Sequence, residues 1–444
     1  QPEAHPAAPS HVSALMSGVM IKTGIYGLLR LLTMLGHPPA AWGWTLVIVG
    51  LVSGILGVAF ALAQHDLKRL LAYHSVENIG IIALGIGAGL LGLAWNQPAL
   101  AVLGFGGGIL HVLNHAVFKS LLFLGAGAVV HSTGTRDIDH LGGLIKSMRW
   151  TAVTFVVASA AISGLPPFNG FISEFLIYLA GFGGVRAEAP QTVVLAIAIG
   201  GGLAMIGGLA AACFAKAFGV VFLGEPRSSH ATGAEEVGAA MRGPMTVLAA
   251  ACLGIGLLAP AVVKMVRPAV QVVCSVPGRA GEETPYGVTT NVLATTAMGS
   301  LMGIVRISAA LLLLALAFYL IRRCLPRGKE EAATGTWDCG YARPTARMQY
   351  TASSFAQPLT DLFKIFLGTR KQGTAPEGFF PQRATFETQT PDAARERLFA
   401  PLFRLTDRAL SPVRRMQHGR IHEYLLYIAI VLVLLLIWKA GGRS

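Results

Sequence analysis

Three residues in one apolar stretch pose the first chemical question. His111, His115 and Lys119, in His-Val-Leu-Asn-His-Ala-Val-Phe-Lys, stand at i, i+4 and i+8. That spacing puts them on one face of a helix, about 6 Å apart along its axis. A single water bridges such a gap and imidazole exchanges protons near neutral pH, so the stripe reads as a proton path. Asn114, beside it, is placed to hold a water. Hydrogen bonds that merely pack helices are the alternative. Haem ligation is a weaker one, because a second histidine would have to come from another apolar stretch. The remaining histidines lie at the ends of such stretches or in loops.

Other ionisable residues share this setting. Lys22 lies in Met-Ile-Lys-Thr-Gly-Ile-Tyr, with about ten apolar or small residues on either side. Glu174 follows Ser163-Gly-Leu-Pro-Pro-Phe-Asn-Gly170, where two prolines remove backbone donors and two glycines loosen the chain. Glu174 reads as a carboxylate facing a wet cavity, as a cap on a new half-helix, or as both. His74 and Glu77 open another stretch in Tyr-His-Ser-Val-Glu-Asn-Ile-Gly. They read equally as a proton entrance or as an interfacial cap. Lys216 and Arg30, near the ends of their stretches, are expected to snorkel to an interface, and Arg306 to do the same.

The elements that must position these groups are membrane spans. The chain has 444 residues, 53% hydrophobic and 13% charged, with a mean hydropathy of +0.60. That is about half the charge of a soluble domain, and it excludes both an ordinary soluble enzyme and disorder. Apolar runs long enough to cross a bilayer fall near 12–35, 43–64, 76–95, 99–130, 150–182, 192–223, 244–266, 301–321 and 422–438. The fold class is therefore an all-α polytopic membrane protein with about nine transmembrane helices. The 163–170 motif predicts that the fifth is broken. Irregular backbone at that depth survives only inside protein or against a cavity, so the break points to function. Five cysteines, never closer than 15 residues, form no zinc, iron–sulfur or CxxC pattern. No cofactor or metal is expected in this chain.

Charge sets the sides. Loops near 65–74, 131–149 and 224–243 carry Lys68, Arg69, Arg136, Lys146, Arg149, Arg227 and Arg242, whereas the opposite loops carry only Arg186, Arg267 and Arg279. The positive-inside rule places the N-terminus in the cytoplasm of a cell inner membrane and the C-terminus outside. Of the net +13, +8 belongs to residues 322–420, where seventeen basic residues face nine acidic ones. Between apolar spans, such a surplus reads as a cytoplasmic, lipid-contacting segment rather than a nucleic-acid site. Leu398, Phe399, Leu402, Phe403, Leu405 and Leu410 recur near helical spacing among arginines, an amphipathic pattern interrupted by Pro401 and Pro412. The opening Gln-Pro-Glu-Ala-His-Pro, with no initiator Met, reads as the start of a chain whose N-terminal portion is absent.

Four motifs in order carry a resemblance. They are His5-Pro-Ala-Ala-Pro-Ser-His-Val-Ser-Ala-Leu-Met through Lys22 to Arg30, Asp66-Leu-Lys-Arg-Leu-Leu-Ala-Tyr-His-Ser75, the His111–Lys119 stripe, and Gly164-Leu-Pro-Pro-Phe to Glu174. Together, over about residues 5–225, they resemble the antiporter-like membrane subunits of complex I, cation/proton antiporters and membrane-bound hydrogenases. Tyr73–Gly80 and the motifs at Thr336–Tyr341 and Arg347–Gln357 resemble the hydrogenase-4 and formate hydrogenlyase branch. The resemblance implies two inverted five-helix repeats with broken helices, of which only the second is present. It divides the chain into a linking helix (1–36), that repeat (37–225), two further helices (226–321), the basic segment (322–421) and a last helix (422–444). By position it implies a linking role for Lys22, a central relay of His111, His115 and Lys119, and a terminal role for Glu174. Some family members have lysine at the Glu174 position.

The function implied is proton translocation, coupled to redox chemistry in other membrane subunits and a peripheral nickel–iron hydrogenase or dehydrogenase arm. Alternatives are a stand-alone cation/proton antiporter and a membrane anchor that does not pump.

Overall fold

The structure, a computed structural model, describes residues 2–185, 190–275, 297–325, 346–374, 378, 385–392, 394–414, 419 and 421–441. Thr336–Tyr341 and the loop arginines Arg186 and Arg279 lie outside them. The chain divides into two compact units, Gln1–Thr390 and Pro391–Ser444.

Among the described residues, eight helices are long and apolar enough to cross a membrane. In the first unit they are α1 (Ser10–Leu32), α2 (Ala40–Leu62), α3 (Leu67–Ala94) and α4 (Pro98–Thr133), followed after the break by α7, α8 and α10. The fifth apolar run is two half-helices, α5 (Arg149–Ile162) and α6 (Asn169–Val185). The break expected between them is present: Gly164 has φ of +63°, and the Pro166–Pro167 bond is cis. A methyl group at Gly170 would lie 1.9 Å from Ala161 O, so the half-helices meet backbone to backbone. The Glu236 carboxylate caps α5, accepting from the amides of Trp150 (2.6 Å) and Thr151 (3.2 Å) and from Thr151 Oγ1 (2.6 Å).

Then come α7 (Pro190–Phe222), α8 (Ala239–Leu257), α9 (Ala259–Cys274) and α10 (Gly299–Cys324). The expected span at 244–266 needs correction. The chain turns at Leu258, with Pro260 near the start of α9, where a missing amide costs nothing. The span expected at 76–95 also starts earlier, at Leu67, because Asp66 accepts from the amides of Lys68 (2.8 Å) and Arg69 (3.0 Å).

Glycine sets how closely α2 approaches α3. Gly43, Gly50 and Gly57 recur every seven residues, about two turns, and face Gly80 and Gly87. A methyl group at Gly50 would lie 2.7 Å from Gly80 O, and one at Gly57 would lie 2.8 Å from Glu77 N. Around this pair, Phe105, Leu110, Ile172, Ile177 and Leu203 form the buried core.

After α10, α11 (Ala352–Leu362) begins with a capping box in which Thr351 and Ser354 bond each other's amides. The strands β1 (Arg370–Thr374) and β2 (Thr385–Gln389) then form an antiparallel ribbon, with Arg370 opposite Gln389 and Thr374 opposite Thr385. This ribbon was not anticipated. Nor is residues 346–390 only a lipid-contacting arm, since it is clasped to the helical body. The Ala352 amide donates to Asp139 Oδ1 (2.8 Å), Glu225 N donates to Gln349 Oε1 (2.8 Å), and Arg227 donates to Tyr350 O (2.9 Å).

The second unit holds a π-helical turn at Ala394–Phe399, α12 (Ala400–Arg414) and the apolar span α13 (Ile421–Gly441). Helix α12 runs through both prolines, Pro401 being accommodated in its first turn.

Candidate functional site

The candidate residues converge on the interior formed by α1, α3, α4 and α6. Lys22 follows a π-helical turn at Met16–Met20, and its Nζ donates to Ser17 O. Ser17 Oγ lies 2.8 Å from Ser75 Oγ, which joins α1 to α3. One turn from Ser75, the His74 imidazole is hydrogen-bonded to the Glu77 carboxylate. Both are fully buried, within the third turn of α3. They do not stand at the membrane edge, so the interfacial-cap reading fails, because α3 begins at Leu67.

The stripe on α4 is intact. The rings of His111 and His115 lie parallel, 6° apart, with centroids separated by 6.5 Å. The edge of Phe118 packs against both. His111 is held from two sides, with Nε2 3.1 Å from Asn78 Oδ1 on α3 and Nδ1 2.9 Å from Ser173 Oγ on α6. Asn78 Nδ2 donates to His74 O (2.8 Å), which fixes the amide so that its oxygen faces His111. Asn114 Nδ2 donates to Asn169 O (2.7 Å) and Ser173 Oγ (2.9 Å), tying the stripe to the start of the second half-helix.

Lys119 is fully buried, with Nζ 5.7 Å from the centre of the Phe123 ring. Among the described residues, neither its Nζ nor either ring nitrogen of His115 has a hydrogen-bonding partner in the protein. Lys119 is close enough to Glu77 and Lys22 for their charges to interact. A buried charge is tolerated only when paired or hydrated, so charge on one of these groups is governed by its neighbours.

Glu174 is 7% exposed. It is the sixth residue of α6, past the first turn, so it does not cap the half-helix. Its carboxylate lies over the break: a methyl group at Gly164 would come within 2.6 Å of Glu174 Oε2. Glycine is required there by both that contact and the positive φ.

Lys216 corrects another expectation. It does not snorkel but is 1% exposed, with Nζ donating to Leu62 O (2.6 Å) and Gln64 O (2.8 Å). Arg30 and Arg306 are exposed, as snorkelling requires. Asn78, Ser173, Asn169, Ser17 and Ser75 were not singled out from the sequence. Neutral polar residues at ordinary helix positions carry no signal until their partners on other helices are known. His5 was noted only within a motif, yet it is buried against Phe123 at a centroid distance of 5.2 Å.

Comparison with known proteins places this arrangement. Residues 1–200 match the family model described as NADH:quinone oxidoreductase/Mrp antiporter, transmembrane region. The chain is 39% identical to hydrogenase-4 component B of Escherichia coli (strain K12), over 98% of its own length and 65% of that protein. It is 38% identical to the uncharacterized protein Rv0083 of Mycobacterium tuberculosis (strain ATCC 25618 / H37Rv), over 98% of this chain and 68% of that one. The chain thus spans about two thirds of the length of these relatives. Its fold resembles a chain of the membrane-bound sulfane sulfur reductase, an archaeal respiratory membrane complex. That likeness has a TM-score of 0.64 at 22% identity, covering 98% of this chain and 64% of the other. The chain belongs to the NADH:quinone oxidoreductase/Mrp antiporter family of polytopic membrane proteins.

Proposed function

We propose that this chain is a proton-translocating, antiporter-like membrane subunit of a membrane-bound hydrogenase or complex I-like oxidoreductase. The observation that carries this reading is the row of buried ionisable groups: Lys22, the His74–Glu77 pair, His115 and Lys119, His111, and Glu174 over the helix break. Burying an ionisable residue in a membrane span costs about 2.5–3.5 kcal/mol on insertion scales, so a cluster of this size needs a purpose. Lys22, Lys119 and Glu174 hold the reversible charges, and His111 and His115 relay protons between them. Asn78 and Ser173 hold the His111 ring in line. His74 and Glu77, deep in the core, act as a branch toward Lys119.

Redox chemistry belongs to partners: other membrane subunits and a peripheral nickel–iron hydrogenase or dehydrogenase arm. The membrane is the cell inner membrane, with the N-terminus and residues 322–421 on the cytoplasmic side and the C-terminus outside. Similarity to hydrogenase-4 component B runs over 98% of the chain, well beyond residue 200, where the match shared with Mrp antiporters ends. That favours a redox complex over a stand-alone cation/proton antiporter.

The test is proton uptake into inverted vesicles carrying the complete complex, followed with a pH-sensitive dye while electron transfer runs. Lys119→Ala is expected to abolish the gradient. An unchanged gradient overturns the assignment, and a wild-type complex that forms none leaves a membrane anchor as the function.

A further inference from the structure

Lys216 is a buried cation that the path above leaves unused. Two of its three ammonium hydrogens are taken by Leu62 O and Gln64 O, the end of α2. Capping that helix end accounts for those two bonds and for nothing else around the residue. The same side chain lines a cavity of about 180 Å³, walled also by His65 and by Ser353, Thr360 and Thr388 of the clasped segment. At about 30 Å³ of liquid volume per water, that space holds roughly six waters.

The outer side of this cavity is built to attract protons. His65 Nδ1 is 2.6 Å from Asp139 Oδ2, and His65 Nε2 is 2.8 Å from Thr388 Oγ1. Burial alone would raise the Asp139 carboxyl. The bonds from His65 and the Ala352 amide outweigh it and hold the group below the usual carboxylate range. Asp139 is therefore a standing negative charge, near enough to Lys216 for the two to interact.

The inner side leads to the buried row. Cys213 lies three residues before Lys216 on α7, about 4.5 Å along the axis, and stands beside the His74 imidazole. The neighbouring Phe214 ring packs on His74 with centroids 4.6 Å apart. His74 is bonded to Glu77, whose charge in turn interacts with that of Lys119.

We propose that this cavity is the proton-loading vestibule of the translocation site, with Lys216 as its inner gate and residues 346–390 as its outer wall. Lys216 passes one proton inward, toward His74 and Glu77, becoming a neutral amine held by the two carbonyls. It regains a proton from vestibule water beside His65, and no bond other than N–H or O–H is made or broken. The inference rests on the reading of this chain as a proton-translocating subunit.

The test uses the complete complex in inverted vesicles, with gradient formation scaled to electron transfer. Lys216→Gln is expected to slow gradient formation at least fivefold. Lys216→Arg still caps both carbonyls but cannot release a proton, so it is expected to be equally slow. Ser353→Cys offers a route that leaves Lys216 in place. Its modification with a bulky methanethiosulfonate is expected to slow the gradient while the methyl reagent does not, the unsubstituted complex controlling for exposed Cys324. If Lys119→Ala stops translocation while Lys216→Arg and the blocked Ser353→Cys both run at the wild-type rate, Lys216 is only a helix cap. The vestibule is then overturned and the central path stands. A wild-type complex that forms no gradient overturns both.

Discussion

Replacing Ser173 by alanine removes one oxygen that makes three bonds, to His111 Nδ1, Asn114 Nδ2 and Gly170 O, each 2.9 Å long. Two of the three partners are provided for elsewhere. Asn114 Nδ2 keeps Asn169 O at 2.7 Å, and Gly170 O lies in a helical turn that supplies amide donors. His111 Nδ1 loses its only partner and is left buried. An unmet buried polar atom costs about 1–3 kcal/mol. If that cost falls on the relay step, proton transfer slows by roughly 5- to 150-fold, since about 1.4 kcal/mol is tenfold. The assay is dye-reported gradient formation in vesicles carrying the complete complex, divided by the electron-transfer rate measured in the same sample. Ser173→Ala is expected to lower that ratio by tenfold or so, and Ser173→Thr, which keeps a hydroxyl, to restore most of it. A ratio equal to wild type in Ser173→Ala would refute the claim that His111 works through its α6 contact.

Gly170→Ala is expected to prevent assembly of the complex, because its methyl group would lie 1.9 Å from Ala161 O, whereas Gly183→Ala meets nothing within 4 Å and should assemble normally. Membrane abundance of the two variants checks this. The His5 ring is held neutral down to about pH 4, from an ordinary 6.5, by burial first and then by the Lys119 charge. The unfolded chain therefore takes up a proton that the folded one refuses. Stability is full above pH 6.5 and falls as the pH drops toward 4. Thermal unfolding in detergent should show about 2 kcal/mol less stability at pH 5 than at pH 7 from this group, a difference that His5→Phe removes. Asp139→Asn should weaken the clasp on residues 346–390 and speed hydrogen exchange at the Ala352 amide. In the wild-type chain that exchange, corrected for intrinsic rate, should be steady from pH 5 to 8, since Asp139 protonates only below the usual carboxylate range.

What could be read from the sequence was what periodicity and cost make visible. His111, His115 and Lys119 share a face because 4 and 8 residues are close to whole numbers of turns. The break before Glu174 is written in Pro166 and Pro167. Lys22 and Glu174 stand out because charge is rare in an apolar run. Partnership between helices was not legible, because periodicity shows which face a residue occupies and not what faces it. Ser173 and Asn78 were passed over on that account. Lys216 was misjudged because its place near the end of an apolar run suggested an interface, while residues 346–390, more than a hundred positions later, cover that end. His74 and Glu77 were set too close to the edge because Lys68 and Arg69 ended the apolar run before the helix itself ended. The ribbon at 370–389 has few alternating apolar residues, so nothing in its pattern signalled strands.

The hydroxyl of Ser173 has a single hydrogen and two acceptors within reach, His111 Nδ1 and Gly170 O. Asn78 Oδ1 can only accept, so the ring hydrogen on Nε2 is committed to it. A ring with no second hydrogen draws the serine hydrogen to Nδ1. A ring that has gained one donates from Nδ1 instead, and the serine hydrogen swings to Gly170 O. Occupancy of the histidine is thereby written onto the backbone beside the helix break as a binary signal, by the rotation of one hydrogen and without the displacement of any heavy atom.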